Sequence, residues 1–403
     1  MKIDMKYYKI FFPVIVLLLL VFPLIKMNTA QITKKENRTL AKFPKISGKE
    51  GVNTKFGKEF ESWLGDRFWG REQLIEVNFQ TLYKINGRIE NDRAVMTSDG
   101  MAFGKKMVKD FCRPIDKKQF NKIKTNLAKL KKWSKEHNIK LYVLIPPDKE
   151  DVFIDQIPNI PLKCKKNSAQ DFVSKIKKEI DMDILYPRDL YKKKYKEFTH
   201  AHTDHHWTEF GAFLTYQQLS KRIKKDFKNF QTLSEADFNV FHNVKPREGY
   251  FKNLFDRPFY EGSNCFQLGL SLKQCPLTHE YAYYDHKDKE QLKVEFGPIK
   301  MSRRTKYLKS KNKLKVALLG ASHGGFLMPF LPYSVKEVLM LRVNNEEKDV
   351  KNIYDMKRFE KHILDFKPDI LLLYMSSPHL RNFAKLYETE EKKKTSENKS
   401  KKT

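Results

Sequence analysis

Four histidines, His200, His202, His205 and His206, fall within seven positions of the run His200-Ala201-His202-Thr203-Asp204-His205-His206-Trp207. A second chemical signal lies far downstream, where Gly320-Ala321-Ser322-His323-Gly324-Gly325 follows a hydrophobic stretch. A serine hydroxyl becomes a nucleophile when an imidazole within hydrogen-bond reach takes its proton and a carboxylate orients that imidazole. Asp204 and His206, two apart in an extended segment, put a carboxylate and a base on one side of the chain. The pattern predicts a catalytic triad of Ser322, His206 and Asp204. His205 competes for the base role, because neighbours in an extended segment point to opposite faces; the D-x-H spacing favours His206. A turn that feeds a helix also offers backbone N–H groups to a developing oxyanion.

Each signal has a plainer reading. Ser322 fits an ordinary Gly-bounded turn. Asp204 fits a cap for the helix expected from Thr208. Closely spaced His and Asp furnish zinc ligands in other proteins, but a helical HExxH is absent and no distant Cys or Asp ligand stands out. No metal and no cofactor are therefore expected.

These residues need elements to hold them. Apolar residues at Phe120, Ile123, Leu127, Leu130 and Trp133 predict an amphipathic helix over 116–138. The run Leu141–Ile145 then reads as a buried strand stopped by Pro146-Pro147. A helix over 169–180, a short strand at 183–185 and a helix over 208–224 capped by Thr208 follow. Strands at 314–319, 335–341 and 369–374, with a helix at 355–366, complete the alternation. That alternation predicts an α/β fold with a parallel sheet covered by helices on both faces. In such sheets ligands bind beyond the carboxyl ends of the strands, which is where Ser322 falls. Residues 225–312 show no clear period and read as a loop-rich insertion.

The N-terminus bears on the compartment. Ile10–Ile25 carries no charge and is preceded by Lys2, Lys6 and Lys9. It predicts one N-terminal transmembrane helix with the short tail inside and the remainder exported, with a cleaved signal peptide as the alternative. The domain reading is therefore 1–30 for tail and anchor, 31–387 for the catalytic domain with its insertion, and 388–403 for a disordered Lys-rich tail. Cys112, Cys164, Cys265 and Cys275 suit an oxidising compartment, with Cys265–Cys275 the first pairing expected and Cys112–Cys164 following from it. The chain has 79 Lys+Arg against 49 Asp+Glu, a net charge of +30. Such a surplus predicts an anionic neighbour, and export makes nucleic acid a poor one.

Asp204-His205-His206-Trp207 is the signature of the DHHW family, which is similar to the alginate O-acetyltransferases of the AlgJ/AlgX type with their SGNH-hydrolase-like domain. Other matching pieces are Glu36–Leu40 with Phe43-Pro44, Asp66 with Arg71, Pro147-Asp148-Lys149 and the Gly320–Ser322 turn. This resemblance implies a flavodoxin-like SGNH fold in circularly permuted order, with Ser322 as nucleophile, His206 as base and Asp204 as its orienting carboxylate. It implies O-acetylation of a cell-surface polysaccharide or exopolysaccharide outside the cytoplasm. It also implies a membrane-bound O-acyltransferase that hands over the acetyl group. An anionic acceptor polymer suits the surface charge. A carbohydrate esterase using the same triad and a non-catalytic polysaccharide export factor are the alternatives. Ala321 stands where the wider SGNH class has Asp in a G-D-S turn, and the asparagine that serves the oxyanion in that class has no visible counterpart. Lys149, Arg342 and Tyr374, at or near strand ends, are the candidate substrate contacts.

Overall fold

The computed structural model describes residues 11–17, 21, 25–33, 38–48, 51–71, 101–157, 168–194, 199–202, 204–241, 283–297, 302–343 and 352–387, with scattered residues over 73–97. The elements that build the site are helix α1 (Phe56–Arg67), helix α2 (Lys117–Glu136), strand β1 (Lys140–Leu144), helix α3 (Ser168–Ile180), strand β2 (Ile184–Leu185) and helix α4 (Glu209–Asp226). Strands β3 (Leu292–Phe296), β4 (Arg303–Tyr307), β5 (Lys315–Gly320) and β6 (Glu337–Arg342), helix α5 (Lys357–Phe366) and strand β7 (Ile370–Tyr374) complete them.

The seven strands form one sheet in the order β3-β4-β6-β5-β7-β1-β2. The five from β6 to β2 are parallel, and β3 and β4 add an antiparallel hairpin at one edge. The sheet is thus mixed, which corrects the expectation of an all-parallel one. The hairpin comes from the segment read as a loop-rich insertion. Its strand β4, paired on both sides, reads Arg-Arg-Thr-Lys-Tyr with only Thr305 buried, and the hairpin keeps charges that a strand covered on both faces cannot. A period-two signal was nevertheless present in Leu292-Lys293-Val294-Glu295-Phe296, where apolar and charged residues alternate. A further antiparallel pair of strands, Phe238–Phe241 with Tyr283–His286, falls in the same segment. Residues 242–282 lie outside the described residues.

The central strands are apolar on both faces because both faces are covered. On one face Tyr142, Leu144, Val316, Leu318, Ile370 and Leu372 pack with Phe213, Tyr216, Leu219 and Ile223 of α4. On the other, Val143, Ala317, Leu319, Leu371 and Leu373 meet Ile123, Leu127 and Leu130 of α2, Phe172 and Ile176 of α3, and Phe359 and Ile363 of α5. Alternating residues of one strand therefore belong to two different cores. Asp116 caps α2, its carboxylate accepting from the Gln119 N–H at 2.8 Å, and Thr208 caps α4, its hydroxyl accepting from the Gly211 N–H at 3.1 Å.

The N-terminal stretch from Asn28 to Ala41 is tied to α1. The Asp66 carboxylate accepts from the Ala41 N–H at 2.7 Å, and the Arg67 guanidinium donates to the carbonyls of Asn28, Ala30 and Ala41. Among the described residues no helix is long and apolar enough to cross a membrane. Residues 11–17 are helical and exposed; much of the predicted 10–25 span lies outside the described residues, as does the 388–403 tail. Cys112 is disulfide-bonded, and the other three cysteines lie outside the described residues.

Candidate active site

Strand β5 pairs with β6 on one side and β7 on the other, although β6 follows it directly in the chain. The order of connections therefore reverses at β5, and a reversal opens a crevice at the carboxyl end of the strand. Ser322 stands there, opening a 3-10 turn, Ser322–Leu327. The helix expected after the serine is this short turn.

The turn is shaped by Tyr374 at the end of β7. Its hydroxyl donates to the Ala321 carbonyl at 2.7 Å, and its ring covers Gly324 so closely that an added Cβ would lie 2.2 Å from Tyr374 Cζ. At Gly320 an added Cβ would come within 2.2 Å of the Tyr374 carbonyl oxygen. Glycine is needed at both positions because the backbone approaches Tyr374 so closely.

The histidine-rich segment is a loop closed on itself at the start of α4. His200 and Trp207 form an antiparallel bridge, and the Thr208 N–H donates to the Thr199 carbonyl at 2.9 Å. Two buried groups fasten the loop to the end of β1. The His200 Nε2–H donates to the Pro147 carbonyl at 3.0 Å, and burial pushes the His200 pKa down to about 3, which keeps the ring neutral. The Lys149 ammonium donates to the His202 carbonyl at 2.6 Å and to Ala102 at 3.0 Å. Trp207, wholly buried, donates its indole N–H to the His323 carbonyl at 3.2 Å and so joins the loop to the serine turn.

This framework brings the three expected residues together. Asp204 Oδ1 accepts the backbone N–H of His206 at 3.0 Å and its Nδ1–H at 2.7 Å. His206 Nε2 then meets Ser322 Oγ at 2.6 Å. With Nδ1 committed to Asp204, the Nε2 lone pair is free to receive the serine proton. Burial alone would raise the Asp204 pKa, but hydrogen bonds from the His206 ring and backbone and the charges of His206 and His205 hold it well below the usual carboxylate range. The His205 ring instead lies tilted against that of His206, centroids 3.8 Å apart, with Nδ1 3.4 Å from Asp204 Oδ1. Burial, with the His206 charge next, lowers the His205 pKa to about 3. Phe326 covers the other side of the site, with its ring stacked 5.6 Å from His206.

Two candidate substrate contacts are placed elsewhere than expected. Lys149 is completely buried, because its ammonium is spent on the two loop carbonyls. Tyr374 is buried beneath the serine turn. Arg342 closes β6 opposite Gly320, half-buried, at the end of the sheet from which the Ser322 turn leaves. Arg303, which sequence reasoning missed, opens β4 at the same end of the sheet. Burial lowers the Arg303 pKa and the Arg342 charge adds to that, while Arg303 Nε is buried with no hydrogen-bond partner. Also missed were the anchoring roles of His200 and Trp207, which need a long-range partner to be seen. Asp204, His205 and His206 place ligand atoms within 4.8 Å of one another, as a metal would require. The Asp204–His206 contact at 2.7 Å is instead a hydrogen bond that a bound ion would have to open.

Residues 109–326, just over half of the chain, match the family described as the SGNH hydrolase-like domain of acetyltransferase AlgX. No curated protein matches the chain significantly. Among solved structures, Bacillus cereus PatB1 is similar at 15% identity over 73% of this chain and 96% of that one, with a TM-score of 0.52. A DHHW family protein from Eubacterium siraeum is 11% identical over 75% of this chain and 98% of that one, with a TM-score of 0.46. The O-acetyltransferase domain of Pseudomonas putida AlgJ is 12% identical over 73% and 92%, with a TM-score of 0.44. The chain belongs to the family of the SGNH hydrolase-like domain of acetyltransferase AlgX.

Proposed function

We propose that this protein is an O-acetyltransferase that acetylates a polysaccharide through an acyl-serine intermediate on Ser322. The observation that carries this reading is the unbroken line of hydrogen bonds from Asp204 through His206 to Ser322. Ser322 Oγ attacks the acetyl carbonyl while His206 Nε2 takes its proton. His206 returns that proton to the leaving group, and the acetyl group stays on Ser322. A sugar hydroxyl then attacks the acyl-serine, giving up its proton to His206, which passes it back to Ser322 as the ester leaves. Asp204 remains ionised and holds the imidazolium that forms in each half-reaction.

The donor is a membrane-bound O-acyltransferase, the acceptor lies outside the cytoplasm, and an N-terminal helix holds the domain at the membrane. The uncharged run at 10–25 with its Lys flank supports that placement. An anionic acceptor suits Arg303 and Arg342, two guanidinium groups at the crevice end of the sheet, and the net charge of +30. The same triad performs ester hydrolysis when water is the acceptor, so one experiment separates the two reactions. With a chromogenic acetyl ester as donor, a transferase moves acetyl to added acidic oligosaccharide in preference to water. Release of free acetate alone, whatever acceptor is added, assigns the protein as an esterase.

A further inference from the structure

Directly after the serine the chain turns His323 inward. Its ring lies against His206 with centroids 4.8 Å apart, Trp207 at 5.8 Å and His205 at 5.9 Å. Its Nε2 stands 3.6 Å from Oδ1 of Asp148, and the two side chains are 2% and 3% exposed. Asp148 follows the Pro146-Pro147 stop of β1 and begins the short helix Lys149–Phe153. Its N–H is satisfied by the Asp151 carboxylate at 2.8 Å and Ser377 Oγ at 3.2 Å. Its own carboxyl lies over the Asp151 N–H in a capping-box arrangement, yet no hydrogen bond of normal geometry reaches either oxygen. His323 Nε2 is equally without a partner. A buried carboxyl and a buried imidazole that face each other at 3.6 Å, just outside hydrogen-bond reach, are both satisfied by a single proton once the pair closes by about half an ångström.

We propose that Asp148 and His323 form a neutral pair sharing one proton, the carboxylic acid donating to Nε2, and that this pair positions the Ser322 turn against His206 during acyl transfer. The proposal rests on the acyl-serine reading above. The surroundings favour neutrality on both sides. Asp148 is faced by Glu150 and Asp151 of its own helix, by Asp204 of the histidine loop and by Lys149; burial and then the acidic neighbours push it well above the usual carboxylate range. His323 is faced by His206, His205 and His200 from the loop and by His379 from the C-terminal turn; burial and then those rings push it well below the usual imidazole range. Neutrality matters because His206 becomes positively charged in each half-reaction. A second cation on His323 would oppose that charge at close range. A second anion on Asp148 would compete with Asp204 for it.

The test uses the full chain with a chromogenic acetyl ester. Replacing His323 by Leu removes the partner atom, and kcat is expected to fall about 10- to 100-fold with KM changed less than about threefold, as a displaced nucleophile requires. His323→Gln restores a polar atom near Nε2 and recovers most of that loss. Asp148→Ala behaves like His323→Leu, and Asp148→Asn, which keeps a donor without a charge, recovers activity and shifts the acidic limb of kcat/KM by less than about 0.3 unit. Undiminished kcat in His323→Leu, or equal loss in His323→Leu and His323→Gln, overturns the proposal. So does a shift of about one unit or more in Asp148→Asn, which would mean that the native carboxyl is ionised. Should the Leu and Ala variants fail to fold, the Asp148→Asn pH profile decides alone. Ester turnover that survives Ser322→Ala would sink the acyl-serine reading itself, an outcome distinct from all of these.

Discussion

Two Asp–His pairs stand side by side at the end of the sheet, and they differ in almost everything but residue type. Asp204–His206 closes at 2.7 Å, keeps some exposure to solvent and accepts two N–H groups on one carboxylate oxygen. Asp148–His323 stands at 3.6 Å, is wholly buried and is faced by the acidic groups of Glu150, Asp151 and Asp204, with Lys149 opposing them. The first environment holds its carboxyl low and therefore ionised, and the second holds its carboxyl high. Burial pushes both carboxyls up; at Asp204 the hydrogen bonds and charges of the histidines together overcome it, and at Asp148 the acidic neighbours add to it. Only the first pair is suited to stabilise an imidazolium.

Substitution to asparagine is the sharpest way to break this comparison. Asp204→Asn keeps the shape but removes the charge and disturbs the His206 tautomer, and kcat is expected to fall on the order of 10³- to 10⁴-fold. Steady-state kinetics on the folded variant measure it. A loss for Asp204→Asn no larger than for Asp148→Asn would erase the distinction between the pairs.

The loop that carries Asp204 and His206 is held by Lys149, so its removal should act on stability and geometry together. Lys149→Met withdraws a charged donor from the Ala102 and His202 carbonyls, and a cost of about 2–3 kcal/mol is expected. Denaturant melts measure that cost. Unchanged stability would mean that the buried ammonium is not a tether.

The smallest effect concerns pH. Burial, with Asp151 adding to it, raises Glu150 from its ordinary 4.5 to about 7, against the opposing influence of its own backbone and Lys149. Below pH 4.5 both folded and unfolded chains hold this proton. As pH rises toward 7 the unfolded chain loses it first, so the folded state binds more protons and stability falls across that window. Asp204 has the opposite sign: its contribution is complete above the ordinary carboxylate range and is lost only as pH falls below it. Glu150→Gln should therefore gain melting temperature over the native chain at pH 8 but not at pH 4. An equal difference at both pH values would contradict this.

The parts legible in the sequence were those governed by local pattern. The periodicity at Phe120–Trp133, the apolar run Leu141–Ile145 and the cap at Thr208 each state their element, because a helix stripe or a strand buried on both faces needs little beyond its own segment. The D-x-H spacing likewise showed which histidine one carboxylate can orient. The hairpin of β3 and β4 was hidden because strands left largely exposed, one of them at the sheet edge, tolerate Lys, Arg and Glu. The burial of Lys149 was hidden for a different reason. Its partners are carbonyls of Ala102 and His202, 47 and 53 residues away, and a carbonyl leaves no mark in a sequence.

The most direct test of the central claim is the mass of the intact protein after brief incubation with an activated acetyl ester, followed by peptide mapping. The account predicts one added acetyl group on Ser322 in the native chain, none in Ser322→Ala, and much slower addition in His206→Ala. Acetylation at another residue, or the same adduct at the same rate in Ser322→Ala, would contradict it.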